Sequence, residues 1–192
     1  MSEENKKFDI ESYWAIIQGK FVKQDAPISI TVAPTPQSKF NKDLKRGQNA
    51  EHSFFQRYQH CLIRTDGRRG DFELLKCGST LELKSDFYNP NHTENFFIER
   101  FSHTNADGGP WQAQEHNCEY YAYWFPITGD LYLFNVHQLV RKLNKLEKGM
   151  QLTSVKNEGF TTRGYKVPRE SLKDLFLNPE EVGLFELKRK LK

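Results

Sequence analysis

Apolar positions recur along this chain with two periods, and the switches between them mark out its elements. GQNAEHSFFQRYQH (47–60) places Ala50, Phe54 and Tyr58 at i, i+4 and i+8, the spacing of one helical stripe. VHQLVRKLNKLEKG (136–149) repeats that spacing with Val136, Leu139, Val140, Leu143 and Leu146, and Gly149 closes it. Short β-prone runs fill the middle: CLIRT (61–65), DFELL (71–75), TLELKSD (80–86), ENFFIERFS (94–102), EYYAYWFP (119–126) and LYLFNV (131–136). Asp66-Gly67, Arg69-Gly70, Cys77-Gly78-Ser79 and Thr128-Gly129-Asp130 supply turns between them. Pro110 suits the first position of a short helix within 106–117. Residues 8–24 read as a short helix and a strand, and 25–38, with Pro27, Pro34 and Pro36, as an extended connection. FTTRGYKVPR (160–169) reads as a strand pair or a basic loop, and ESLKDLFL (170–177) as a short helix. The order is helix, three strands, a further strand, helix, strand pair, helix, which predicts a mixed α/β layer architecture. One domain is expected, with its core at 47–135, an N-terminal extension carrying a basic segment at 1–46, and a C-terminal helix and basic extension at 136–192.

Composition narrows the class. Of the 192 residues, 37% are hydrophobic and 14% aromatic, far from a disordered chain. The net charge of +3 permits nucleic-acid binding without arguing for it, but basic residues gather at Lys39 to Arg46, Arg64 to Arg69 and Lys188 to Lys192. Three widely spaced cysteines, Cys61, Cys77 and Cys118, suggest neither a disulfide framework nor a zinc site, and buried thiols in a reducing cytoplasm are expected. The charged start lacks a secretory h-region, and no stretch approaches the ~20 apolar residues of a membrane span. The continuous aromatic run 120–125 predicts a buried central strand.

Chemistry concentrates at Asp71 and Glu82-Leu83-Lys84. On a strand, i and i+2 share a side, so Leu81 and Leu83 take one face while Glu82 and Lys84 present a carboxylate and an ammonium on the other. A hairpin between 71–75 and 80–84 brings Asp71 alongside. Two carboxylates suit a hard divalent cation, and a lysine beside them can orient a water, which is what phosphodiester hydrolysis requires. Glu73 shares the Asp71 face and is a rival ligand of mainly structural expectation. Asp86 continues the Glu82 face and is expected to be solvated.

GDFEL followed by LELKSD resembles the active-site signature of the PD-(D/E)XK nuclease superfamily, which includes restriction endonucleases, resolvases and phage recombination exonucleases. The element order across roughly 47–135 is similar to its restriction endonuclease-like αβββαβ core, a mixed central sheet flanked by helices. Gly70 stands where that signature usually has proline. The resemblance implies a Mg2+- or Mn2+-dependent nuclease acting on DNA without a nucleotide cofactor. Asp71 and Glu82 would hold the metal, with the Leu83 carbonyl as a further ligand and Lys84 handling the water. Glu51 occupies the place of a helix glutamate that supports the metal in many members. Gln112 or Gln114 corresponds to a glutamine often near the site, and Lys45, Arg46, Arg68 and Arg69 would meet phosphates. Duplex-cutting members commonly pair two active sites, which leaves a homodimer open. The alternative is a catalytically inactive nucleic-acid-binding or assembly subunit of the same fold.

Overall fold

The computed structural model describes residues 37–102, 106–157 and 160–186. The elements expected at 8–24, the connection up to residue 36 and the basic tail Lys188 to Lys192 lie outside the described residues. Helix α1 spans Gln37–Tyr58, starting ten residues before the expected boundary. The segment KFNKDLKR holds no glycine or proline that would stop a helix, and Gly47 interrupts nothing, because a glycine inside a helix costs only about 1 kcal/mol. The predicted stripe is the buried one: Ala50, Phe54 and Tyr58 all lie in the core.

Strands β1 (Leu62–Arg64), β2 (Phe72–Leu74) and β3 (Thr80–Ser85) form an antiparallel meander. The chain then leaves that sheet through β4 (Asn95–Phe101) and helix α2 (Gly109–Glu115). It returns as β5 (Tyr120–Phe125), parallel to β3, followed by the antiparallel β6 (Asp130–Asn135). The result is a mixed five-stranded sheet in the order β1-β2-β3-β5-β6. Helix α3 (Val136–Leu146) follows at once, capped by the Asn135 side chain, which accepts from the Gln138 amide at 3.1 Å.

A second, antiparallel sheet in the order β4-β8-β7 joins β4 to β7 (Leu152–Asn157) and β8 (Phe160–Pro168). FTTRGYKVPR is therefore one long strand between two partners. Gly164 is required within it, since a Cβ there would fall 2.4 Å from the Ile98 carbonyl oxygen. The following ESLKDLFL segment forms a 3-10 helix at Arg169–Leu175, not an α-helix. Arg169 is structural: its guanidinium donates to the carbonyls of Pro90 and Thr93, at 2.7 and 2.8 Å, and to the Tyr132 hydroxyl.

The five-stranded sheet divides two cores, and β5 feeds both by alternation. Tyr121, Tyr123 and Phe125 join Phe96, Ile98, Phe134 and the apolar face of α3. Ala122 and Trp124 turn the other way onto Phe54, Leu81 and Leu83 beneath α1. The aromatic run is thus a buried central strand, as expected. Leu177 bridges Leu133 and covers part of the exposed edge of β6. Among the described residues no helix is long and apolar enough to cross a membrane.

Gly47 has open space where a Cβ would stand and no positive φ. Gly47→Ala is expected to raise the thermal midpoint by roughly 2–4 °C, the equivalent of about 1 kcal/mol in a domain of this size. A lowered midpoint in differential scanning calorimetry would show that the helix is interrupted there.

Candidate active site

The site opens where β2 parts from β3. Pairing between them runs only through Phe72–Leu81 and Glu73–Thr80. One step earlier, the Asp71 amide still donates to the Leu81 carbonyl at 3.0 Å. At Gly70 the backbone takes φ +122°, and a Cβ there would lie 3.0 Å from both the Leu81 carbonyl oxygen and the Cys118 sulfur. Proline, fixed near −65°, has no access to that conformation. The departure at position 70 is therefore demanded by this backbone.

The Leu83 amide, which β2 no longer reaches, instead donates to Asp71 Oδ2 at 2.9 Å. That bond aims the Asp71 carboxylate across the end of the strand pair. Glu82 and Lys84 lie on the same side of β3, opposite Tyr121 and Tyr123 of β5. Glu51 completes the group from α1, about one turn before the buried Phe54 and two before Tyr58.

The electrostatics bind these residues into one group. Burial raises the pKa of Glu82 from its ordinary 4.5 to about 8, with the charges of Asp71 and then Glu51 pushing further and Lys84 opposing them. Glu51 is raised by burial and next by Asp71, and Arg64 pulls it back. Asp71 is raised by burial, while the Leu83 amide and Arg64 work against that shift. The fully buried Tyr121 lies within the field of Glu82, Glu99 and Asp71, which add to the rise that burial gives its hydroxyl. Three acidic groups thus act on one phenol, with Lys84 and Arg64 opposing the shifts of the carboxylates themselves. Among the described residues, no three His, Cys, Asp or Glu side chains are drawn together closely enough to hold a metal as they stand.

No family model, curated protein or solved structure matches the chain.

Two residues of this group escaped the sequence reading. Arg64 stacks its guanidinium over Phe55 at 4.8 Å and Phe72 at 5.9 Å, beside His52. It is the outward residue of β1 nearest Asp71, since Thr65 already donates its amide to the Asp71 carbonyl. Glu99 of β4 pairs with Lys84 at 3.8 Å, and burial raises its pKa against the pull of that lysine. Strand alternation in NFFIERF set Glu99 apart from Ile98, but only the second sheet brings it to Lys84.

Other expected residues stand outside the carboxylate group itself. Lys45 and Arg46 belong to the body of α1 and do not flank its start. About 140° of helical turn separates Arg46 from Glu51. With Asn49, Ser53, Phe87 and Pro126 they line a cavity of about 410 Å³, where Arg46 stacks 3.8 Å over the Phe87 ring. Arg68 is exposed and paired with Asp66 at 3.0 Å, while the charge of Arg69 reaches Glu119. Gln114 is bonded to His137 on α3 and Gln112 is exposed, so the structure brings neither into the carboxylate group. Glu73 stays within the β2–β3 ladder, near the Gly78 turn. Asp86 is not simply solvated: it accepts from the hydroxyl of Tyr123 and from the Tyr88 amide. Cys61 and Cys118 are buried, but Cys77 is exposed.

A raised carboxyl pKa in the folded state stabilises the fold below the unfolded value, near 4.3, and that contribution is lost as pH rises through about 8. Glu82→Gln removes the penalty. In metal-free buffer at pH 8.5 the variant is expected to melt roughly 2–4 °C above the wild type, the gap closing toward pH 5. A gap independent of pH would remove Glu82 as its cause.

Proposed function

We propose that this chain is a metal-dependent nuclease that hydrolyses DNA phosphodiester bonds with Mg2+ or Mn2+, built on a restriction endonuclease-like core. The observation that carries the reading is the convergence of Asp71, Glu82 and Lys84, on two adjacent strands, with Glu51 from the preceding helix. The sequence α1, β1-β2-β3, α2, β5, with β5 parallel to β3, supports it, because this is the order of the αβββαβ core named above. Strand β4 and its sheet are additions to that order.

The donor set fits a hard divalent cation in its chemistry. Its oxygens are all carboxylate or carbonyl, and a carboxyl whose pKa is raised to about 8 by burial and then by its acidic neighbours is one that a bound cation would ionise. Asp71 and Glu82 would hold the ion, with the Leu83 carbonyl as a further donor and Glu51 in support, directly or through water. Mg2+ characteristically keeps several waters and takes only one or two carboxylates, so it needs no closed three-ligand shell such as is absent among the described residues. When bound, the metal supplies Lewis-acid stabilisation of the phosphoryl oxygens.

The chain's own residues do the rest. Lys84, as an ammonium, would donate to the attacking water and hold its oxygen directed at phosphorus, the water's proton passing to solvent as the bond to the leaving oxygen breaks. The Leu83 amide fixes the Asp71 carboxylate. Arg64, pre-oriented on its two phenylalanine rings, offers a fixed planar donor to a phosphate once the neighbouring carboxylates are neutralised. Arg68 and Arg69 lie just before Asp71 and would meet the backbone of the strand, with affinity that falls as salt rises.

The test is cleavage of supercoiled, linear and branched DNA with Mg2+ or Mn2+, beside Lys84→Ala and Asp71→Asn. The wild type is expected to cut, chelation to abolish cutting, and each variant to lose at least about 100-fold in rate. Cutting that survives Lys84→Ala overturns the mechanism. Binding without cutting in either metal points instead to a subunit that only binds nucleic acid.

A further inference from the structure

We infer that Glu99 is a positioning residue for Lys84, supplied to the site by the second sheet; the inference rests on the nuclease reading. Three features of the fold are built around its carboxylate. First, Glu99 lies 3.8 Å from Lys84 Nζ, and both side chains are largely shielded, at 18% and 34% exposure. Second, the β4–β8 register shifts between Glu99 and Phe101, and such an irregularity re-aims a side chain that a regular ladder would fix otherwise. Third, Gly108 makes room for it, and Gly109 makes room for the backbone carbonyl of the same residue. A Cβ on Gly108 would fall 2.8 Å from Glu99 Cγ, and one on Gly109 would fall 2.7 Å from the Glu99 carbonyl oxygen.

Strand β4 is itself held to the main sheet two residues away. The Phe97 amide donates to the Tyr123 hydroxyl at 3.1 Å, and Tyr123 stands opposite Lys84 in the β3–β5 pair. The lysine and its partner are thus referenced to the same tyrosine. Lys84 has two acidic neighbours, Glu82 along its own strand and Glu99 across the gap. Drawn to Glu82 alone, its ammonium would occupy the oxygens that the cation needs. Paired with Glu99, it is held off Glu82, with two N–H groups left for the water and the phosphoryl oxygen. Glu99 touches neither substrate nor metal in this role.

Glu99→Gln keeps the shape and removes the charge. In steady-state cleavage it is expected to lower kcat by about 10–100-fold. KM and the Mg2+ concentration for half-maximal rate are expected to stay within about twofold, the split that distinguishes positioning from binding. In a Lys84→Ala background the same substitution is expected to add nothing, because the two act as one unit. A second readout needs no activity. In NMR of the lysine side chains, with Lys84 assigned by its loss in Lys84→Ala, the ordered Lys84 signal of the wild type is expected to become mobile in Glu99→Gln. An unchanged kcat, an additive loss in the double variant, or a Lys84 signal indifferent to Glu99→Gln each overturns the inference. A wild type that cuts nothing overturns the nuclease reading, and the NMR comparison still decides whether Glu99 fixes Lys84.

Discussion

Where an antiparallel ladder ends, the next strand is left with backbone groups that need partners, and this fold resolves that need at one point. Strand β2 stops pairing with β3 after the Asp71 amide, so the Leu83 amide is orphaned inside the protein. A buried N–H without an acceptor costs on the order of 1–3 kcal/mol. The Asp71 carboxylate takes it. The bond does two things at once: it completes the backbone of β3, and it fixes an anion beside Glu82. The remaining members of the group, Glu51 from α1 and Glu99 from β4, arrive from the two layers that cover the sheet.

Those layers are rigid because the sheet between them is filled with rings. Phe96 alone lies near Tyr123, Phe125, Tyr132, Phe134 and Phe176, with ring centroids 4.7 to 6.3 Å apart. On the opposite side Phe54 meets Tyr58, Phe72 and Trp124. Aromatic pairs of this kind add about 0.5–1.5 kcal/mol each beyond area burial. Their larger effect is geometric, since few-rotamer rings let the charged groups above them be placed without much freedom. Such a platform can sustain like charges at close quarters, at a cost to stability that active sites commonly carry.

The chain's local patterns disclosed some of this and hid the rest. Glu82 and Lys84 were legible because a two-residue period fixes their side, and the stripe of Ala50, Phe54 and Tyr58 was legible because a helical period fixes theirs. The aromatic run at 120–125 declared a doubly buried strand by its continuity. What failed was long-range or conformational. Helix α1 looked as if it began at Gly47, since glycine signals a boundary only on average. The second sheet was hidden because β7 and β8 carry few apolar residues and owe their pairing to distant β4. Glu99 and Arg64 were hidden for the same reason: each meets the site through tertiary contact. Gln114, bonded to His137, and Arg46, stacked on Phe87, stand outside the carboxylate group, because the angle of a helix decides which way a side chain projects.

The glycine at position 70 bears on how such a site can change over generations. Its backbone conformation excludes proline, and a Cβ there would sit at a tight 3.0 Å from the Leu81 carbonyl oxygen and the Cys118 sulfur. A chain with proline before the aspartate must approach the same strand end along a different backbone path. Glycine and proline are then two separate solutions to one problem. No single exchange to proline at this position is accommodated without a new backbone path through the preceding loop.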